Sequence, residues 1–244
     1  MSANRSTAVM QRRRPAPKAL DHFPTPPFAT RALLEVLAAE IGLLDEMTAW
    51  DPCCAEGHMV KPLLEAFGAV RASDVHQYRP FLAGGDHELL DFALAGWNEP
   101  QVDVIVMNPP FKLAHEFIRT ALTRARRAVA VLVRSAFTEG EDRYRRLWGK
   151  LPPTLALQFS ERVVMLEGRL VRRGSIDPFT GRKATSATAY CWLVWIKEHE
   201  GSDLVLTDTR LRWIPPSMRR LERPGDYPDY STGEESPAPL LEAA

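Results

Sequence analysis

The sequence is poor in cysteine, has no excess charge of either sign and contains no long apolar run. Its 244 residues include three cysteines, two of them adjacent (Cys53 and Cys54), and this number provides no disulfide framework. The 31 basic residues balance 31 acidic ones, so the overall charge does not indicate a class of partner. No apolar run approaches the roughly 18 residues of a membrane span, and the N-terminus lacks the apolar region of a signal peptide. These absences predict a cytoplasmic protein without membrane contact.

The charges are spread unevenly along the chain. Residues 1–19 hold five basic side chains and no acidic one, whereas residues 221–244 hold six acidic side chains and one arginine. Short charged termini are usually solvated tails, although a basic arm can also touch phosphates. We therefore predict a folded domain over 21–215, between a flexible basic arm at 1–20 and a flexible acidic tail at 216–244.

Within this domain, short apolar runs alternate with segments of helical periodicity. Strands that are apolar throughout and separated by helices indicate a parallel sheet that is covered on both faces. The pattern predicts a doubly wound α/β domain. The predicted strands are 48–53, 69–75, 102–107, 128–133, 154–159 and 189–196, and the predicted helices are 28–41, 60–67, 113–127 and 138–148.

The first two strands end in residues suited to a ligand. In an open α/β sheet, ligands bind beyond the carboxyl ends of the strands. The turn from Asp51 to His58 contains an acid and Gly57, which would allow close approach of the backbone to a ligand, although it also fits an ordinary tight turn. Asp74 ends the next strand, where an ionised carboxylate accepts hydrogen bonds from ribose hydroxyls, or simply caps a turn.

The third strand end, Asn108-Pro109-Pro110-Phe111, is the most specific of the three. Two prolines fix φ and remove two N–H donors, so the rigid segment presents carbonyls. The Asn108 side-chain oxygen and the Pro109 carbonyl can both accept from one –NH2 group. An adjacent aromatic ring can stack on a flat base. A simple turn after a strand is the alternative.

Asn108 to Phe111 resembles the signature of the amino-methyltransferase family, whose members methylate adenine N6 or cytosine N4 in DNA, RNA bases or a protein glutamine. Residues 158–162 and 186–192 look like later segments of phage- and prophage-type adenine methyltransferases. The resemblance implies a Rossmann-like class I methyltransferase with a mostly parallel seven-stranded sheet whose last strand is antiparallel. It also implies S-adenosylmethionine (SAM) as cofactor.

The resemblance implies site residues as well. The catalytic set would be Asn108, Pro109, Pro110 and Phe111. The cofactor-binding set would be Thr25, Asp51, Pro52, Cys53, Gly57, Asp74, Asp91, Phe92 and Asn108. One departure is Ala55, which stands where this family commonly has glycine in the SAM turn.

The segment 160–187 is the one candidate for target recognition, because no separate recognition domain is evident. It is rich in arginine and could track DNA phosphates, or be a solvated surface loop. A metal site is not expected, because the adjacent cysteines and His58 lack the spacing of zinc ligands.

Three hypotheses follow from the sequence and the resemblance. The first is methyl transfer to adenine N6 in DNA. The second is the same chemistry on RNA adenine or guanine, DNA cytosine N4 or protein glutamine. The third is a catalytically silent SAM- or DNA-binding module. The oligomeric state is not predicted.

Overall fold

The computed structural model describes residues 21–197 and 208–230. The predicted basic arm at 1–20 and the last part of the predicted acidic tail lie outside these residues. Among the described residues, no helix is long and apolar enough to cross a membrane.

An eight-stranded sheet forms the centre of the domain, with strand order β3-β2-β1-β4-β5-β7-β6-β8. Its strands are β1 (Thr48–Asp51), β2 (Ala69–Asp74), β3 (Glu88–Leu89), β4 (Val102–Met107), β5 (Ala125–Arg134), β6 (Leu155–Phe159), β7 (Tyr190–Ile196) and β8 (Arg210–Ile214). β7 runs antiparallel to both of its neighbours, β5 and β6, and the other pairings are parallel. The predicted doubly wound, mostly parallel sheet is confirmed.

Helices cover both faces of the sheet. They are α1 (Pro27–Ile41), α2 (Val60–Leu64), α3 (Phe92–Ala95), α4 (Ala114–Arg124), α5 (Glu141–Arg143) and α6 (Met218–Leu221). α1 begins with a proline, whose missing N–H is not needed in a first turn, and ends at Gly42, which has φ +92°.

The central strand β4 is apolar from Val104 to Met107 because both of its faces are buried there. Val104 and Val106 pack into the cluster beneath α1 and α2, whereas Ile105 and Met107 pack into the opposite cluster beneath α3 and α4. Side chains alternate between faces along a strand, so a strand that is buried on both faces has no polar alternation. The carboxyl ends of β1, β2 and β4 therefore meet at one edge of a rigid sheet.

The structure differs from the sequence-based prediction in several elements. It has eight strands rather than seven, because β8 adds an outer strand parallel to β6. The predicted helix at 138–148 is broken into a 3-10 turn, α5 and a π turn, with Gly140 at φ +113° between the first two.

The predicted flexible tail also differs, because residues 216–230 include α6 and pack on the domain. Asp226 in this segment is buried and forms a bidentate ion pair with Arg31 of α1. Arg31 is also paired with Glu65, so loss of Asp226 would leave buried N–H donors of Arg31 without their acceptor, which is costly. The chain is therefore ordered well beyond residue 215.

Candidate functional site

A cavity of about 200 Å³ opens at the carboxyl ends of β1, β2 and β4. The side chains that meet there come from segments far apart in sequence, as expected for the ligand-binding edge of an open α/β sheet. Nine of the predicted site residues line it: Thr25, Asp51, Pro52, Cys53, Asp74, Asp91, Phe92, Asn108 and Pro110.

Three predicted site residues do not line the cavity: Gly57, Pro109 and Phe111. Gly57 has φ +88°, and a Cβ added there would lie 2.8 Å from the ring of Phe81. Glycine is therefore required by the turn and its packing rather than by direct approach to a ligand. Pro109 is buried, and the ring of Phe111 packs against that of Phe23, which lines the cavity.

Asp51 contributes an unusual carboxylate. Its Oδ1 accepts a hydrogen bond from the Cys53 N–H at 3.2 Å, but its Oδ2 is buried without a hydrogen-bond partner among the described residues. Burial raises the pKa of Asp51 to about 8. The hydrogen bond from Cys53 acts to lower this pKa, and the nearby Asp74 carboxylate acts to raise it. A buried acceptor of this kind favours a ligand that brings a donor or a positive charge.

Asp74 both shapes the turn after β1 and borders the cavity. Its two oxygens accept from the N–H groups of Ala55 and His76, each at 3.0 Å. Burial raises the pKa of Asp74, although these two hydrogen bonds act to lower it. The bond to Ala55 holds that residue at φ +47°, in the left-handed region that favours glycine.

Like Asp74, Asp91 both stabilises the local backbone and lines the cavity. Its Oδ1 caps α3 by accepting from the N–H groups of Ala93 and Leu94, while the residue lines the cavity. An ionised carboxylate has lone pairs beyond those used in capping. Capping thus leaves Asp91 able to accept from a ligand.

The side-chain amide of Asn108 is held in a defined orientation. Its Nδ2 donates to the Phe23 carbonyl at 2.9 Å and to Thr25 Oγ1 at 3.0 Å. A carbonyl only accepts, so the contact with Phe23 assigns the nitrogen to that side of the amide. The Oδ1 of Asn108 is thereby left as an acceptor in a residue that lines the cavity.

The segment 21–26 crosses the cavity and joins its two main loops. Asp21 Oδ2 accepts from the N–H of Phe111 at 2.7 Å, and His22 Nε2 lies 2.7 Å from Glu56 Oε2 in the turn after β1. Burial acts to raise the pKa of Glu56, but the contact with His22 and the nearby His58 together bring this pKa below its ordinary value. The segment therefore fixes the loops of β1 and β4 relative to each other.

Phe111 lies in a small aromatic and cationic cluster. Its ring centroid is 5.5 Å from that of Phe23, and the guanidinium carbon of Arg134 lies 3.9 Å from the Phe111 centroid. The expected stacking face of Phe111 is therefore in contact with an arginine. Met165, from the segment 160–187, reaches the same area with its sulfur 4.0 Å from Asn108 Nδ2.

Sequence reasoning missed the apolar and aromatic lining of the cavity. This lining includes Val75, Tyr78, Leu90, Leu113 and Phe117. Val75 could have been predicted, because it directly follows Asp74 at the end of a predicted strand. Tyr78 could not, because it lies in a loop without periodicity. Burial raises the pKa of the Tyr78 hydroxyl, so this side chain stays neutral.

Several arginines of the basic segment 160–187 are already paired. Arg169 binds Asp177, Arg172 binds Glu222 and Arg173 binds Glu161. Such pairs reduce the charge that this segment presents to phosphates. Within 21–197 and 208–230, no group of three or more His, Cys, Asp or Glu side chains is arranged to hold a metal.

Comparisons with known proteins establish the fold. No protein-family model matches the chain, and no curated protein matches it. A proposed class I SAM-dependent methyltransferase from Listeria monocytogenes is similar in structure, with a TM-score of 0.57 and 14% identity over 81% of this chain and 67% of that one. A proposed RNA methyltransferase from Pyrococcus horikoshii has a TM-score of 0.54 and 16% identity over 73% of this chain and 88% of that one.

A type I restriction-modification methyltransferase subunit from Streptococcus thermophilus is similar as well. Its TM-score is 0.54 and its identity 10%, over 75% of this chain. The match spans 46% of that subunit, so this chain corresponds to less than half of its length. At these identities the similarity is one of fold, and the predicted class I methyltransferase architecture is confirmed.

Proposed function

We propose that the protein is a SAM-dependent methyltransferase that methylates the exocyclic N6 amine of adenine in DNA. The observation that carries the proposal is the anchored amide of Asn108 at the cavity. Its nitrogen is bound by Phe23 and Thr25, which leaves the oxygen to accept from an amine. The methyltransferase architecture supports this assignment.

The cavity residues fit SAM. The unpartnered Oδ2 of Asp51 suits a donor such as the cofactor's ammonium group. Asp74 suits ribose hydroxyls, and Asp91 with the apolar side chains of Val75 and Phe117 suits a purine ring. When bound, SAM supplies an electrophilic methyl group on a sulfonium.

The residues after β4 act on the amine. The lone pair of an adenine amine is delocalised into the ring, which makes the nitrogen a poor nucleophile. Asn108 Oδ1 and the Pro109 carbonyl would accept its two hydrogens and stabilise positive charge on the nitrogen during transfer. Pro109 is buried and does not line the cavity, so the proposal depends on Asn108, with the prolines fixing the loop.

DNA is favoured by the resemblance of Asn108 to Phe111 to adenine methyltransferases, and by the similar restriction-modification subunit. A base in a duplex has to leave the stack to reach such a cavity. The same chemistry on RNA is the second candidate, because the similar proposed RNA methyltransferase is matched over 88% of its length.

The test is methyl transfer from labelled SAM to unmethylated duplex DNA and to RNA, followed by digestion to nucleosides. We expect methyladenine from DNA. Asn108→Ala should lower the rate about 100- to 1,000-fold while SAM binding is retained, whereas the exposed Asn98→Ala should change neither. Undiminished turnover by Asn108→Ala would contradict the mechanism. Label found only in RNA would contradict DNA as the substrate and identify RNA instead.

A further inference from the structure

Arg134 ends β5, which runs parallel to β4, so it stands at the same edge of the sheet as Asn108. Its guanidinium carbon lies 3.9 Å from the ring centroid of Phe111 and 5.8 Å from that of Phe23. The first distance is that of a stacked cation–π contact. The side chain is half-buried and lies against the ring that follows the two prolines.

Apart from these two aromatic rings, the charge of Arg134 has no ionic partner within the described part of the chain. Its Nε is buried without a hydrogen-bond partner, and its guanidinium forms no ion pair among the described residues. Arg169 and Arg173 in the nearby segment 160–187 are paired instead with acidic side chains. The Nε–H of Arg134 is one of the five donors of the guanidinium, and burying it without an acceptor costs free energy.

We propose that Arg134 binds a backbone phosphate of the nucleic-acid strand that presents the target base, and that it covers Phe111 until the base arrives. This inference rests on the proposed function. Arginine binds phosphate through paired N–H donors, and its planar group stacks on aromatic rings. The guanidinium and a nucleobase are both flat, so they compete for the same face of Phe111. Movement of Arg134 to the phosphate frees that face.

The test is binding of fluorescein-labelled nucleic acid, followed by anisotropy over a series of potassium chloride concentrations. The probes are a DNA duplex with a mismatched adenine and an RNA of the same sequence. Arg134→Ala should weaken binding about 10- to 100-fold and should reduce the slope of log affinity against log salt by about one phosphate contact. Arg134→Lys should retain the slope, since it keeps the charge.

Two further variants separate the charge from packing. Arg134→Met keeps an apolar cover on Phe111 without the charge, and we expect it to reduce the slope by the same amount as Arg134→Ala does. Arg212→Ala removes one positive charge from β8, where Arg212 is paired with Glu40 of α1, and it should leave affinity and slope near those of the wild type. A purely structural role for Arg134 would not change the salt slope.

The outcomes for the two proposals are distinct. An unchanged slope in Arg134→Ala overturns the role of Arg134, as does a wild-type protein that binds neither probe. A wild type that binds DNA with an Arg134-dependent slope but transfers no methyl group refutes the proposed reaction and supports the phosphate contact. An Arg134-dependent slope with RNA alone supports the contact and identifies RNA as the strand that is bound.

Discussion

Cofactor affinity should depend on pH through Asp51. Burial raises the pKa of this carboxyl to about 8, so the free protein holds Asp51 largely protonated at neutral pH. If the ionised form binds the cofactor's ammonium, apparent affinity follows the ionised fraction, which is about one hundredth at about pH 6 and one eleventh at about pH 7. SAM affinity should therefore rise about ninefold over this interval, in which the amine of the cofactor stays charged.

Calorimetric titration with SAM in two buffers of different ionisation enthalpy measures both the affinity and the proton release. We expect almost one proton to be released for each SAM bound below about pH 7. Asp51→Asn keeps the shape of the side chain but cannot ionise, so it should bind SAM more weakly and without this pH dependence. The exposed Asp45→Asn should behave as the wild type. A flat affinity in the wild type, or a steep one in Asp51→Asn, would refute the assignment.

The same ionisation affects stability in the opposite direction. The folded protein retains a proton on Asp51 that the unfolded chain loses above the ordinary pKa of an aspartate. The contribution of Asp51 to the free energy of unfolding is therefore greatest at acidic pH and is lost as pH rises toward about 8. In thermal unfolding without SAM, the melting temperature of Asp51→Asn should decline less over this pH range than that of the wild type.

Further predictions concern backbone strain and the C-terminal segment. Ala55→Gly should leave stability unchanged or raise it by up to about 1 kcal/mol, since φ +47° is costly for alanine. Gly57→Ala should lower stability by about 1–3 kcal/mol, because of φ +88° and the contact with Phe81. Urea unfolding measures both, and a loss in the first or none in the second would contradict these conformations. Asp226→Ala should lower the unfolding free energy by about 1–3 kcal/mol, since Arg31 loses buried acceptors but keeps its pair with Glu65, whereas Arg145→Ala, from an exposed pair, should change it by under about 0.5 kcal/mol. Equal effects in that urea comparison would argue against burial of the Asp226 pair.

The parts of the fold that could be predicted are those in which burial dictates sequence. β4 is observed at 102–107 as predicted, because every second side chain enters one core and the others enter the opposite core. β8 was missed because four of its five residues are exposed and their sequence shows no apolar run. The ordered segment 216–230 was missed because its attachment depends on Asp226 and Arg31, far apart in sequence.

For the candidate site, polar residues at strand ends were predictable and their neighbours were not. Asp51, Asp74 and Asn108 line one cavity, as the rule for carboxyl ends of parallel strands predicts. Arg134 gave no signal, since it ends an apolar strand and its importance comes from proximity to Phe111. The pairing of arginines within 160–187 likewise depends on partners such as Glu222, which only folding brings close.

The antiparallel strand β7 has a consequence for how proteins of this architecture can diversify. Because β7 lies between β5 and β6 and runs against both, the connection over 160–189 begins and ends on the same side of the sheet as Asn108. The cavity lies at the ends of β1, β2 and β4, and the connection comes close to it at Met165, whose sulfur lies 4.0 Å from Asn108 Nδ2. Insertions or deletions in the exposed part of the connection can therefore alter which molecule reaches the cavity without altering β1, β2 or β4.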